Sequence, residues 1–267
     1  MADSFPPIYL ATAVEAVTKA GAMQLAGIDH LRIEKKGAID LVTQIDREVE
    51  QMFRAVIARR FPDHAVLAEE FENGGDRQNT AEYCWVFDPV DGTTNYAHGL
   101  PIFCCACSLE RNGQPIVAAI YDPSRRELFT AERGAGAWLN GAPMRVSSAD
   151  TLIDSLLCTG FPYTVQQESE YLLGLFADFI RTARAVRRLG SAAIDLAYVA
   201  AGRFDGFWEV RLNPWDISAG ALLIEEAGGR VSTLAGGPFE SRRGEIVASN
   251  GRIHDQMVEI IRARNRT

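Results

Sequence analysis

One segment constrains this chain more than any other. The apolar run Trp85-Val86-Phe87 passes without a break into Asp88-Pro89-Val90-Asp91-Gly92-Thr93-Thr94-Asn95. The run predicts a strand, and Pro89 fixes the bend between two carboxylates three residues apart. Asp-Pro and Asp-Gly are common turn dipeptides, and either alone would mean no more than a turn. Both acids at a strand end, followed by a glycine and two hydroxyls, form a much rarer combination. Two carboxylates so placed can grip hard divalent cations such as Mg²⁺, which prefer oxygen ligands. Gly92, Thr93 and Thr94 would then offer backbone N–H groups and hydroxyls to a phosphate, especially if they open a helix.

Other acids fall at comparable places. Glu69-Glu70, with Glu72 close behind, follows Val66-Leu67-Ala68, although a charge run after a strand is by itself an ordinary solvated loop. In Asn213-Pro214-Trp215-Asp216 the asparagine can cap a helix, the proline suits its first position, and Asp216 complements the helix dipole. That account is complete without a ligand role; only the neighbouring motifs add one.

The surrounding chain predicts two halves. In residues 1–150, amphipathic helices over Ile8 to Leu25 and Thr43 to Ile57 precede short strands over Ala65 to Ala68, Tyr83 to Phe87, Phe103 to Glu110, Pro115 to Tyr121, Glu127 to Thr130 and Ala137 to Leu139. In the second helix Ile45, Val49, Met52, Phe53, Val56 and Ile57 share a face, which leaves Asp46 and Glu50 pointing elsewhere. Turns at Asn112-Gly113 and Asn140-Gly141 make this sheet largely antiparallel. In residues 151–267 the rhythm is mixed α/β: a strand near Leu156 to Thr159, helices over Tyr171 to Thr182, Ser191 to Ala201 and Pro214 to Ala227, and a last strand over Glu245 to Ser249. No linker composition separates the halves, so they are expected to pack closely.

Composition excludes several classes of function. With 27 Lys and Arg against 35 Asp and Glu, the net charge of −8 repels nucleic acid at long range. Arg181, Arg184, Arg187 and Arg188 form the one candidate basic patch and read as a solvated or subunit-contacting helix end. No stretch has the pattern of a signal peptide or a membrane span, so a cytoplasmic protein is expected. Five cysteines lie in apolar segments, as reduced thiols do. Cys104 and Cys107 have a C-x-x-C spacing, but inside an apolar run they read as core strand. The four histidines, at 30, 64, 98 and 254, lack metal-ligand spacing and read as surface or loop residues. Gly134-Ala135-Gly136 lacks the third glycine of a dinucleotide fingerprint.

Taken together, Asp40-Leu41-Val42-Thr43 with Asp46, Glu69-Glu70, Asp88 to Asn95, Gly190-Ser191-Ala192-Ala193, Glu209, and Trp215-Asp216 with Glu226-Ala227-Gly228-Gly229 resemble the inositol monophosphatase family over essentially the whole chain. The stretch Arg187 to Glu209 is most similar to bacterial members. The resemblance implies an α/β (α+β) fold, an αβαβα layered sandwich shared with fructose-1,6-bisphosphatases. It also implies a phosphatase using two or three Mg²⁺ ions per site, lithium-sensitive and homodimeric. By position, Glu69, Asp88, the Val90 carbonyl, Asp91 and Asp216 match metal ligands; Gly92, Thr93 and Thr94 match the phosphate cradle. Asp46 matches the acid paired with Thr93, and Asp91, Ser191, Ala192, Glu209 and Asp216 match the lining of the leaving-alcohol pocket. Lys35 and Asp40 fall where the family has a mobile loop.

The expected chemistry is hydrolysis of myo-inositol 1-phosphate or a similar small phosphorylated alcohol, with Glu69, Thr93 and Asp46 handling the attacking water. Histidinol phosphate, fructose 1,6-bisphosphate or adenosine 3′,5′-bisphosphate would suit the same metal platform. A bacterial relative with an RNA- or transcription-associated role is the alternative of another class.

Overall fold

The computed structural model describes residues 5–35, 41–71 and 80–265; Asp40, Glu72 and the side chain of Lys35 lie outside them. The chain starts with α1 (Pro7–Gly27), whose first residue is a proline that needs no N–H partner there. Small residues Ala13, Ala16, Val17 and Ala20 form its buried stripe. A short hairpin of β1 (Ile33–Lys35) and β2 (Leu41–Thr43) leads into α2 (Gln44–Arg60). Thr43 caps α2, and Asp46 in its first turn accepts the Thr43 backbone N–H at 2.9 Å. Ile45, Val49, Phe53 and Ile57 bury its apolar stripe.

Asp46 and Glu50 do not point elsewhere, as the helical spacing predicts; both are fully buried. Each is buried because it has donors that periodicity cannot show. Asp46 closes the helix cap. Glu50 accepts the backbone N–H groups of Glu70 at 2.6 Å and Phe71 at 3.2 Å, with Arg54 Nε at 2.7 Å. Glu50 therefore braces the turn that carries Glu69.

The first sheet has seven strands in sequential order: β3 (Ala65–Ala68), β4 (Tyr83–Asp91), β5 (Cys104–Arg111), β6 (Gln114–Asp122), β7 (Glu127–Glu132), β8 (Gly136–Leu139) and β9 (Ala142–Pro143). Only β3 and β4 pair in parallel; the rest are antiparallel, as the turns predict. Alternation along β5 sends Cys105, Cys107 and Leu109 into the core shared with α1 and α2, and Cys104 and Ala106 into the core on the opposite face. Cys104 and Cys107 thus face opposite sides of one strand and cannot form a redox pair.

The five-stranded second sheet is mixed, in the order β11 (Ala185–Arg187), β10 (Leu156–Thr159), β12 (Gly206–Val210), β14 (Glu245–Ser249), β13 (Arg230–Ser232). Between the sheets lie α5 (Ala192–Ala200) and α6 (Pro214–Glu226), which are apolar almost all round because they are covered on both sides. Beyond the second sheet, α4 (Ser169–Thr182) and α7 (His254–Arg264) bury Leu175, Phe179, Met257 and Ile261 against Trp208 and Val247. The layers therefore run helix, sheet, helix, sheet, helix: an αβαβα sandwich.

One of the four histidines is neither a surface nor a loop residue, and a second, His64, is a half-buried loop residue. His254 is fully buried between the Ser232 and Ser249 hydroxyls, and burial lowers its pKa to about 4. His64 stacks on Phe61 and Tyr83 and receives the Trp85 indole N–H. Among the described residues no helix is long and apolar enough to cross a membrane.

Candidate active site

Glu69, Asp88, Asp91, Glu209 and Asp216 converge on one cavity of about 400 Å³ lined from both sheets. At the end of β4 the ladder slips between Asp88 and Asp91, so pairing with β5 is interrupted between the two carboxylates. Gly92 follows at φ +92°, and its α-carbon sits where an added Cβ would meet the Ile102 carbonyl oxygen at 2.9 Å. Only glycine fits that turn, which opens the short helix α3 (Thr93–Ala97), the arrangement that would best aim these N–H groups at a phosphate. Asp91 is gripped from across the cavity: the Ser191 hydroxyl donates to its Oδ2 at 2.5 Å and the Ala193 N–H at 2.7 Å. Asp216 accepts the Asn213 N–H at 2.6 Å at the start of α6. Glu69, just after β3, and Glu209, near the end of β12, add to the acidic lining.

Asp88, Asp91 and Asp216 each offer a carboxylate oxygen, and these atoms all lie within 4.8 Å of one another. Burial first, and then Glu69, Asp91 and Asp216, hold the Asp88 carboxyl well above the usual carboxylate range. Burial and Asp91 do the same to Asp216. Asp91 is raised by burial too, but its donors Ser191 and Ala193 oppose the rise. So many hard oxygen donors, crowded out of water, form a set whose mutual repulsion a divalent cation would relieve. The residues fit such an ion.

Beside them, the Thr93 hydroxyl lies 2.9 Å from the Val90 carbonyl oxygen and 3.3 Å from Asp46 Oδ1. The backbone N–H groups of Gly92 to Thr94 sit at one wall, and the first turns of α5 and α6 point their positive ends into the same cavity. Every site residue expected from the sequence lines the cavity except Asp46, which lies one hydrogen bond behind Thr93.

Sequence reasoning missed others. Arg188, assigned with its neighbours to a solvated helix end, lines the cavity and counters the rise that burial and Asp216 impose on the Glu209 carboxyl. Gly160 makes room for Glu209, since a Cβ there would fall 2.2 Å from Oε2. Asp195, one turn beyond Ser191, is also buried at the cavity wall. A helical i, i+4 spacing from Ser191 could have found Asp195; no local signal marks Gly160.

A layered α/β sandwich with a buried oxygen-donor cluster facing helix N-termini defines a metal-dependent phosphomonoesterase. The model of the Inositol monophosphatase family matches residues 8–266, and the chain belongs to that family. It is 43% identical over 257 residues to an inositol-1-monophosphatase of Synechocystis sp., covering 96% of this chain and 89% of that protein. It is 42% identical over 254 residues to the Nus factor SuhB of Escherichia coli, covering 94% of each. The solved inositol monophosphatase of Anabaena (Nostoc) sp. superposes with a TM-score of 0.87 at 41% identity, covering 96% of each chain.

Proposed function

We propose that the cavity hydrolyses myo-inositol 1-phosphate, or a closely similar phosphorylated polyol, with two or three Mg²⁺ ions. The observation that carries this reading is the crowding of Asp88, Asp91 and Asp216 beside the Gly92–Thr94 turn. Glu69, Asp88, Asp91, Asp216 and the Val90 carbonyl would hold the metal, which when bound supplies Lewis-acid charge and acidifies a coordinated water.

The chain's own residues do the rest. Backbone N–H groups of Gly92, Thr93 and Thr94, with the Thr94 hydroxyl, orient the phosphate. Thr93 Oγ1 takes a proton from the attacking water as its own hydroxyl proton leaves Val90 O and passes to the Asp46 carboxylate at Oδ1. Ser191, the Ala192 backbone, Asp91 and Asp216 line the leaving alcohol, and Glu209 accepts hydrogen bonds from its hydroxyls. Residues 1–150 and 151–267 act as two closely packed halves, a division supported by the two sheets and by a cavity drawn from both. Cytoplasmic location, Li⁺ inhibition and a homodimer belong to the same reading; five free buried thiols support the first.

The test is phosphate release from myo-inositol 1-phosphate, histidinol phosphate, fructose 1,6-bisphosphate and adenosine 3′,5′-bisphosphate, with Mg²⁺ or with chelator. Preference for the inositol ester and silence in chelator are expected; undiminished turnover in chelator would end the metal reading. Glu209→Ala should cut kcat/KM on the inositol ester by roughly ten- to a hundredfold, the worth of a charge-assisted hydrogen bond, and on p-nitrophenyl phosphate much less. Equal losses on both substrates would make Glu209 a folding or metal-shell residue. A second reading, a role in transcription, has the name of the Escherichia coli relative in its favour and the net charge of −8 against it. An RNA gel shift at varied salt decides it.

A further inference from the structure

One buried acid outside the cavity lining takes no part in the hydrolysis. Glu110, at the end of β5, is fully inaccessible to solvent. Its Oε1 accepts the hydroxyls of Ser218 at 2.8 Å and Ser241 at 2.9 Å, and its Oε2 accepts Arg242 Nη1 at 2.6 Å. Ser218 in turn receives the Ser108 hydroxyl at 2.8 Å. Ser108, Ser218 and Ser241 are all buried. Apolar side chains of similar size would pack in such a place without the cost of dehydrating a carboxylate, so a charged network there needs a reason other than stability.

The reason is where the network is tied. Ser218 sits two residues beyond Asp216 on α6, about 200° round the helix, so the two side chains leave on nearly opposite faces. Ser108 and Glu110 belong to β5, which pairs with β4 in a register that sets Ser108 beside Val86 and Ala106 beside Asp88. The strand pair that presents Asp88 and Asp91 therefore also anchors the helix that presents Asp216. When the cation is absent, like charges on the three carboxylates push α6 away from β4. A helix free to retreat would have to be drawn back by the ion, at the expense of affinity.

We propose that the Glu110–Ser218 network is a positioning device for Asp216, fixing α6 against the β4 carboxylates and so setting the affinity of the site for a divalent cation. The proposal rests on the metal reading above. It is tested by calorimetric titration of the chelator-treated 267-residue chain with Mg²⁺, alongside thermal melts and kcat at saturating Mg²⁺. Ser218→Ala removes one oxygen and keeps a good helix former; Glu110→Gln keeps an acceptor for the serines but loses the charge facing Arg242. Both are expected to weaken Mg²⁺ binding about tenfold, the low end for residues supporting ligands, with kcat at saturation within about twofold.

Glu226→Ala is the control at the other end of α6. That carboxylate accepts the Gly134 and Gly136 N–H groups at 2.8 Å each, so its loss should lower the melting temperature and leave Mg²⁺ affinity unchanged. Wild-type affinity in both Ser218→Ala and Glu110→Gln, or an equal weakening in Glu226→Ala, would overturn the proposal alone. Absence of Mg²⁺ binding by the wild-type chain would overturn the metal reading along with it.

Discussion

Thr93 shows how little separates a structural hydroxyl from a working one. Its oxygen lies closer to the Val90 carbonyl than to Asp46, so a small rotation decides which group takes its proton. Because that rotation matters only as water attacks, Thr93→Ala is expected to lower kcat by tenfold or more, at least 1.4 kcal/mol in barrier, with KM within about threefold. Steady-state kinetics on the inositol ester measure both, and a kcat within about twofold of wild type would leave Thr93 as a helix-start residue only. The acids at strand ends were legible in the sequence because strand, bend and charge are neighbours along the chain. Glu50, Gly160 and Arg188 were not, since each gains its meaning from groups far away in sequence: the Glu70 amide, the Glu209 carboxylate and the cavity mouth.

At the scale of elements, the first sheet was legible almost strand by strand, and its two Asn-Gly turns show why. Asn112 and Gly113, like Asn140 and Gly141, all have positive φ, the geometry of tight hairpins that those residues tolerate. The three-residue strands β11 and β13 carry too few residues for a period to show, and their partners are supplied by the tertiary fold. The helix α7 went unread for a different reason. Its buried residues Met257, Val258 and Ile261 do have helical spacing, but they form a narrow stripe between charged residues at the end of the chain. That stripe nonetheless closes the outer layer against Trp208 and Val247. Ile261→Ala is therefore expected to cost about 2–5 kcal/mol of unfolding free energy by leaving a cavity there, measured by urea denaturation. A loss below about 1 kcal/mol would mean that the outer layer repacks around the gap.

For the molecule as a whole, the crowded carboxylates make stability depend on pH in a direction that can be worked out. Asp88, Asp216 and Glu209 have raised pKa values when folded, so they hold protons more tightly in the native chain than in the unfolded one. Their penalty is absent below the ordinary carboxylate range near pH 4 and grows as pH rises through the raised values. His64 and His254, whose pKa values are lowered by burial, act in the opposite sense below about pH 6.5, so pH alone does not isolate the acids. Comparison with Asp88→Asn does. In chelator this variant is expected to melt roughly 2–6 °C above wild type near pH 8, the gap closing toward about pH 4. Added Mg²⁺ should stabilise wild type and do little for the variant, and a gap independent of pH in scanning fluorimetry would refute the account. A last consequence follows from β9, the outermost strand of the large sheet. It is two residues long, both exposed, and its second residue is Pro143, which has no N–H to donate. A second molecule cannot extend the sheet by laying its own strand along that edge, so the usual route from a wide open sheet to fibrous aggregation is closed on this side. Copies of the chain that meet there must do so through side chains, by contacts that can separate again.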